Sequence, residues 1–89
     1  MQYVKTGEGY ILRLMRGEEL FTALLAFAKK ENVTAGVLNG IGAMADIEVG
    51  YYDLETREYS FKKLKEPLEV VSMTGNASLV DGEPFFHIH

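Results

Sequence analysis

One stretch of helical periodicity, between Gly17 and Asn32, sits in a chain that otherwise alternates with period two, and this limits the fold more than any other feature. Within it Leu20, Leu24 and Phe27 form an apolar stripe flanked by Phe21, Leu25 and Ala28. Glu18 and Glu19 are expected in the first turn and Lys29 and Lys30 in the last, both placements that complement the helix dipole. Asn32 tolerates the left-handed conformation that ends a helix, and the β-branched Val33 and Thr34 return the chain to extended structure. One helix among extended segments predicts an α/β domain of the α+β kind: one main helix packed on an antiparallel, mostly meandering sheet of about six strands.

The extended segments can be read in turn. Tyr10 to Met15 alternates, with Tyr10, Leu12 and Leu14 on one face. Arg13, among apolar neighbours, is either a rim residue with its guanidinium in water or one half of an ion pair. Ala35 to Met44 is apolar and glycine-rich, which predicts a buried strand running into a tight corner. Gly40-Ile41-Gly42 invites comparison with a dinucleotide loop, but Ala45 stands at the third glycine position and no second helix follows to receive a pyrophosphate. Glycine at a strand bend or bulge is the better reading. Ile47 to Asp53 and Arg57 to Lys63 alternate around a hairpin loop, Asp53-Leu54-Glu55-Thr56. Leu68 to Leu79 is extended, with a bulge expected at Gly75-Asn76. Asp81-Gly82 is the strongest turn signal and leads into Pro84-Phe85-Phe86-His87-Ile88-His89.

With 89 residues, the chain fits a single domain, residues 1–89, whose small core predicts marginal stability that oligomerisation or a metal would relieve. The absence of cysteine excludes disulfides and thiolate metal sites. A net charge of −4 argues against gripping nucleic acid by its backbone, which needs clustered cations. The one basic cluster, Lys62, Lys63 and Lys65, reads as a solvated strand edge. No segment approaches the ~20 apolar residues that span a bilayer, and the first residues lack the zones of a signal peptide, so a cytoplasmic location is expected.

Chemistry points to the last strand. His87 and His89, the only histidines, project from one face with α-carbons roughly 6–7 Å apart, close enough for both imidazoles to converge on one ion. Neutral imidazole suits zinc, copper, nickel or iron. Two histidines on a strand are also simply compatible with a solvated face, and a zinc site wants three or four ligands. No nucleophilic triad is legible around Ser72, Thr74 or Ser78, and the paired Glu18-Glu19 is explained by the helix.

Taken in order, Arg13-Leu14, Gly17-Glu18-Glu19-Leu20, Val37-Leu38-Asn39-Gly40-Ile41-Gly42-Ala43, Glu69 through Asn76 and Asp81 through His89 resemble the plant-and-prokaryote-conserved (PPC) domain over essentially the whole chain. The resemblance implies a compact α/β fold that associates as a homotrimer. It implies a divalent metal, zinc among the candidates, with His87 and His89 as two ligands and a third histidine in a later segment. On that comparison the chain ends before the family's last strands. Plant relatives join the domain to AT-hooks, which underlies a DNA-binding label for the family, but no Arg-Gly-Arg core is present in this sequence.

Three functions follow as expectations. The first is a homotrimeric, metal-binding interaction or regulatory module rather than an enzyme. The others are DNA binding, as the family label implies, and a small metal-dependent hydrolase using an open coordination position.

Overall fold

The computed structural model describes residues 1–89. Seven strands and one helix occur in the order β1 (Gln2–Thr6), β2 (Gly9–Arg13), α1 (Leu20–Lys30), β3 (Gly36–Met44), β4 (Ile47–Asp53), β5 (Glu58–Leu64), β6 (Leu68–Val80) and β7 (Glu83–Ile88). The α+β class expected from the sequence holds. The six-strand meander does not: the strands form three small sheets, β1-β2, β3-β6-β7 and β4-β5. The added strand is β1, whose Thr6 pairs with Gly9 across the two-residue turn Gly7-Glu8. Gly7 has φ +30, a region open to glycine without a Cβ penalty.

The chain divides into two compact units, Met1–Leu38 with Thr74–His89, and Asn39–Met73. In the first unit α1 lies against β7, and Leu24, Ala28 and Phe86 form the buried core. Leu12, Leu20, Leu25, Val33, Leu38, Ala77 and Ile88 pack around it. Phe27 is also buried, with the rings of Tyr3 and Tyr10 each edge-on to it at 4.9 Å. The Tyr3 hydroxyl donates to Glu31 Oε1 at 2.7 Å, and this bond holds the phenol above its ordinary pKa.

The helix is shorter than its periodicity predicts, which changes the role of both glutamates. Glu19 lies outside the first turn, at the N-cap, with extended backbone. Its carboxylate accepts from the N–H groups of Phe21 (2.8 Å) and Thr22 (2.9 Å) and from the Thr22 hydroxyl (2.8 Å). The Thr22 hydroxyl, followed by the backbone donors, holds the Glu19 carboxyl below the usual carboxylate range. Glu18 accepts from Met15 N–H at 2.5 Å and pairs with the Met1 amino group. At the other end Asn32 takes the expected left-handed conformation, φ +54. Asn32 N–H then reaches Lys29 O and Val33 N–H reaches Ala28 O at 2.9 Å, while Val33 packs on the core: a complete Schellman closure.

In the second unit β4 and β5 form a hairpin with Asp53 opposite Glu58. The loop runs one residue further than the sequence predicts, through Arg57. Asp53 Oδ1 accepts from Glu55 N–H and Thr56 N–H, and Arg57, at φ +59, closes the loop onto Asp53 O at 2.8 Å. Gly50 is required here by its neighbour, because a Cβ would come within 2.6 Å of the Phe61 ring directly opposite. Lys62, Lys63 and Lys65 are exposed as expected.

Two further expectations fail. The glycine-rich β3 is not a buried strand. Val37 and Ile41 are more than four-fifths exposed, the strand extends to Met44 with Gly42 at φ +154, and the chain turns at Asp46 (φ +54). Nor does Gly75-Asn76 form a bulge against β7, since the register runs continuously through Gly75↔Ile88 and Asn76↔His87. Arg13 is exposed and makes no ion pair within the chain. No helix is long and apolar enough to cross a membrane.

Candidate metal centre

The last hairpin turns on Asp81-Gly82, where both residues take positive φ (+53 and +80), the conformation that matches the twist of paired strands. This two-residue turn sets Val80 opposite Glu83 and fixes every pair behind it. Phe86 and Ile88 therefore point to the helix side, Phe86 as part of the buried core. His87 and His89 point to the other side and are exposed. His89 lies just beyond the strand but is still held by it: its N–H donates to Thr74 O at 2.7 Å, and Thr74 N–H donates back to His89 O at 2.9 Å. The backbone that presents both imidazoles is thus fixed by a ladder on one side and a core on the other.

The expected convergence of the two rings is present. His87 Nε2 and His89 Nε2 are 3.1 Å apart, with ring centroids at 5.0 Å and planes inclined by 32°. Without an ion, two neutral rings at this distance share one proton-bearing nitrogen as donor and one bare nitrogen as acceptor. The same distance suits joint ligation. With metal–nitrogen bonds of about 2.0–2.1 Å, two ligands on one ion stand about 2.9 Å apart at a right angle and about 3.3 Å apart at the tetrahedral angle. The pair lies between those limits, so the separation suits two adjacent positions of a four- or six-coordinate ion. No third histidine, aspartate or glutamate joins them.

The remaining sequence candidates lie elsewhere or take other roles. Glu18 and Glu19 serve the start of α1. Thr74 stands opposite His89, Asn76 opposite His87 and Ser78 opposite Phe85, so all three share the histidine face. Ser72 lines a shallow, open depression of about 320 Å³ with Asn39, Gly40, Ile41, Val71 and Met73. Asn76 was not singled out by sequence reasoning. The signal for it was present, since counting back from a two-residue turn at Asp81-Gly82 places Asn76 against His87.

The whole chain, residues 1–89, matches the Plants and Prokaryotes Conserved (PCC) domain. The chain belongs to this family. Solved structures with the same fold include a plant- and prokaryote-conserved protein of Pyrococcus horikoshii, 40% identical with a TM-score of 0.86. A metal-containing protein of Archaeoglobus fulgidus is 39% identical with a TM-score of 0.87. A putative DNA binding protein of Bacteroides thetaiotaomicron is 31% identical with a TM-score of 0.92. Each comparison covers 98% of this chain but only 60–61% of the other, so the chain spans about three-fifths of the length of these PCC-domain relatives. Among curated proteins none matches.

Proposed function

We propose that this PCC domain is a homotrimeric metal-binding module that acts in interaction or regulation, with His87 and His89 supplying two ligands to a divalent cation such as zinc. The observation that carries the reading is the 3.1 Å separation of the two Nε2 atoms on a backbone fixed by both ladder and core. A solved relative 39% identical to the chain is a metal-containing protein, which supports it further. Support for association comes from the aliphatic side chains left in water, Val37 (86% exposed), Ile41 (83%) and Val71 (81%), which form apolar surface of the kind another copy covers.

Zinc titration followed by calorimetry tests the metal, with sedimentation on the same samples to give the mass. The wild type should bind zinc and sediment as a trimer. The His87→Ala, His89→Ala double variant should lose the zinc heat. Equal binding by the double variant removes the site, and a monomer at micromolar concentration removes the trimer.

DNA binding is the second reading, favoured by relatives in Bacteroides thetaiotaomicron and Ralstonia eutropha described as putative DNA-binding proteins. The charge of −4 opposes it. A gel shift with A/T-rich duplex at low salt decides, because low salt exaggerates phosphate contacts. No shift at micromolar protein ends this reading.

A further inference from the structure

The hairpin of β4 and β5 has two unlike faces. Its register sets Ile47 opposite Leu64, Val49 opposite Lys62 and Tyr51 opposite Ser60 on one of them. On the other, Glu48 stands opposite Lys63, Gly50 opposite Phe61 and Tyr52 opposite Tyr59. Ile47 and Leu64 are half-buried, whereas all six residues of the second face are exposed. Its ion pair, Lys63 Nζ to Glu48 at 3.9 Å, marks it as the side that belongs in water. That solvated face is aromatic. The rings of Tyr59 and Phe61 stack with centroids 5.8 Å apart and planes inclined by 18°, and Tyr52 stands edge-on to Tyr59 at 5.1 Å. Phe61 lies over Gly50, where a Cβ would meet its ring at 2.6 Å. Tyr59 and Phe61 are nevertheless 65% and 64% exposed.

Cations continue the row. Arg57, Tyr59, Phe61, Lys63 and Lys65 are alternate residues through β5 and its two ends, so the two rings stand between basic residues and no acidic residue enters the series. Glu48 is the only acidic residue of β4 on this face, and its long, exposed contact with Lys63 is weak enough to yield to a phosphate. Rings that alternate with cations along one strand match a polymer of planar bases on an anionic backbone. We infer that this face binds single-stranded nucleic acid, with bases stacked on Tyr59 and Phe61 and the backbone phosphates against Arg57, Lys63 and Lys65. The inference is independent of the metal reading and differs from duplex binding, because bases paired and stacked in a duplex offer no free face to the rings. It also accommodates the charge of −4, since base stacking supplies affinity that does not require many phosphates to be neutralised.

Fluorescence anisotropy of labelled oligothymidylate and oligouridylate at low salt, with a chelator present, tests this. The single strands should bind, the tighter of the two telling DNA from RNA, and the thymidylate–adenylate duplex should not. Tyr59→Leu and Phe61→Leu keep an apolar cover on the hairpin but lose the ring, and each should weaken binding by at least about fivefold. Tyr51→Leu, on the opposite face, should bind as wild type does. Lys63→Gln should lower the slope of log affinity against log salt by about 0.7. Quenching of tyrosine fluorescence by the bound strand gives a readout of stacking in the wild type that needs no substitution. The His87→Ala, His89→Ala double variant should bind the strand unchanged, so failure of the metal reading leaves this one standing. If neither strand binds at low salt, if the duplex binds equally, if both leucine variants bind like wild type, or if polyglutamate of equal charge displaces the strand as well as nucleic acid does, the stacking face is wrong.

Discussion

Replacing Gly75 by alanine sets two effects of opposite sign against each other, and the structure decides which wins. In general the change stabilises by about 0.4–1 kcal/mol, because the unfolded chain loses freedom. Gly75 has no positive φ, so its backbone conformation raises no objection. Its neighbours do. A Cβ at this position would run into the carbonyl oxygen of His87 and come within 3.0 Å of Ile88 Cα and Ile88 Cγ1. Two of those atoms are backbone of the paired strand, and Ile88 packs on the core, so none can swing aside. Overpacking of this kind costs about 1–3 kcal/mol; with the midpoints of both ranges the net loss is about 1.3 kcal/mol. For a small domain with a urea slope near 1 kcal/mol/M, the midpoint should fall by about 1.3 M. Gly9→Ala is the matched control: no atom lies within 4 Å of its Cβ position and its φ is not positive. There the entropy effect stands alone, and the midpoint should rise by about 0.4–1 M. Urea unfolding followed by circular dichroism at one fixed protein concentration measures both, the fixed concentration being needed for any chain that self-associates. If Gly75→Ala is as stable as wild type, or if both variants shift alike, then close approach of β7 is not what demands glycine in β6.

Phe86→Ala removes the largest ring of the core and should cost about 3–5 kcal/mol, most of the stability of a domain this size, seen as loss of the cooperative thermal transition. Asn32→Val should destabilise by about 1–2 kcal/mol through the left-handed conformation that closes α1, whereas Asn32→Gly should match or exceed wild type in the same melt. Glu19→Gln weakens the N-cap by about 0.5–1 kcal/mol at neutral pH. Because the folded carboxyl titrates below its ordinary value of 4.5, its contribution is complete above that pH and lost as pH falls through the folded value. The difference between Glu19→Gln and wild type should therefore shrink on acidification below pH 4.5 in a stability series, and a constant difference would remove the carboxylate from the cap.

Period and punctuation made much of this protein legible in its sequence. The spacing of Leu20, Leu24 and Phe27 identified α1, Asn32 marked its end, and Asp81-Gly82 located the last hairpin, because each is a local preference of the backbone or of a turn. The same locality placed His87 and His89 on one face. Local preference was silent or misleading where pairing decides. The strand β1 exists because Gln2–Thr6 finds Gly9–Arg13, and the glycine expected to bulge β6 instead keeps a continuous register with β7. Glycine is equally at home in a bend and beneath a close neighbour, and only the paired strand of Ile88 shows which applies at Gly75. The start of α1 was shifted by the Glu19 carboxylate, whose cap forms only once the first turn is built. For the candidate site, the sequence by itself determined that two imidazoles share a face. Tertiary structure alone decided that they stand beside Thr74 and Asn76, because that arrangement belongs to two strands in register and not to either strand alone, and the side-chain rotamers bring the two Nε2 atoms to 3.1 Å.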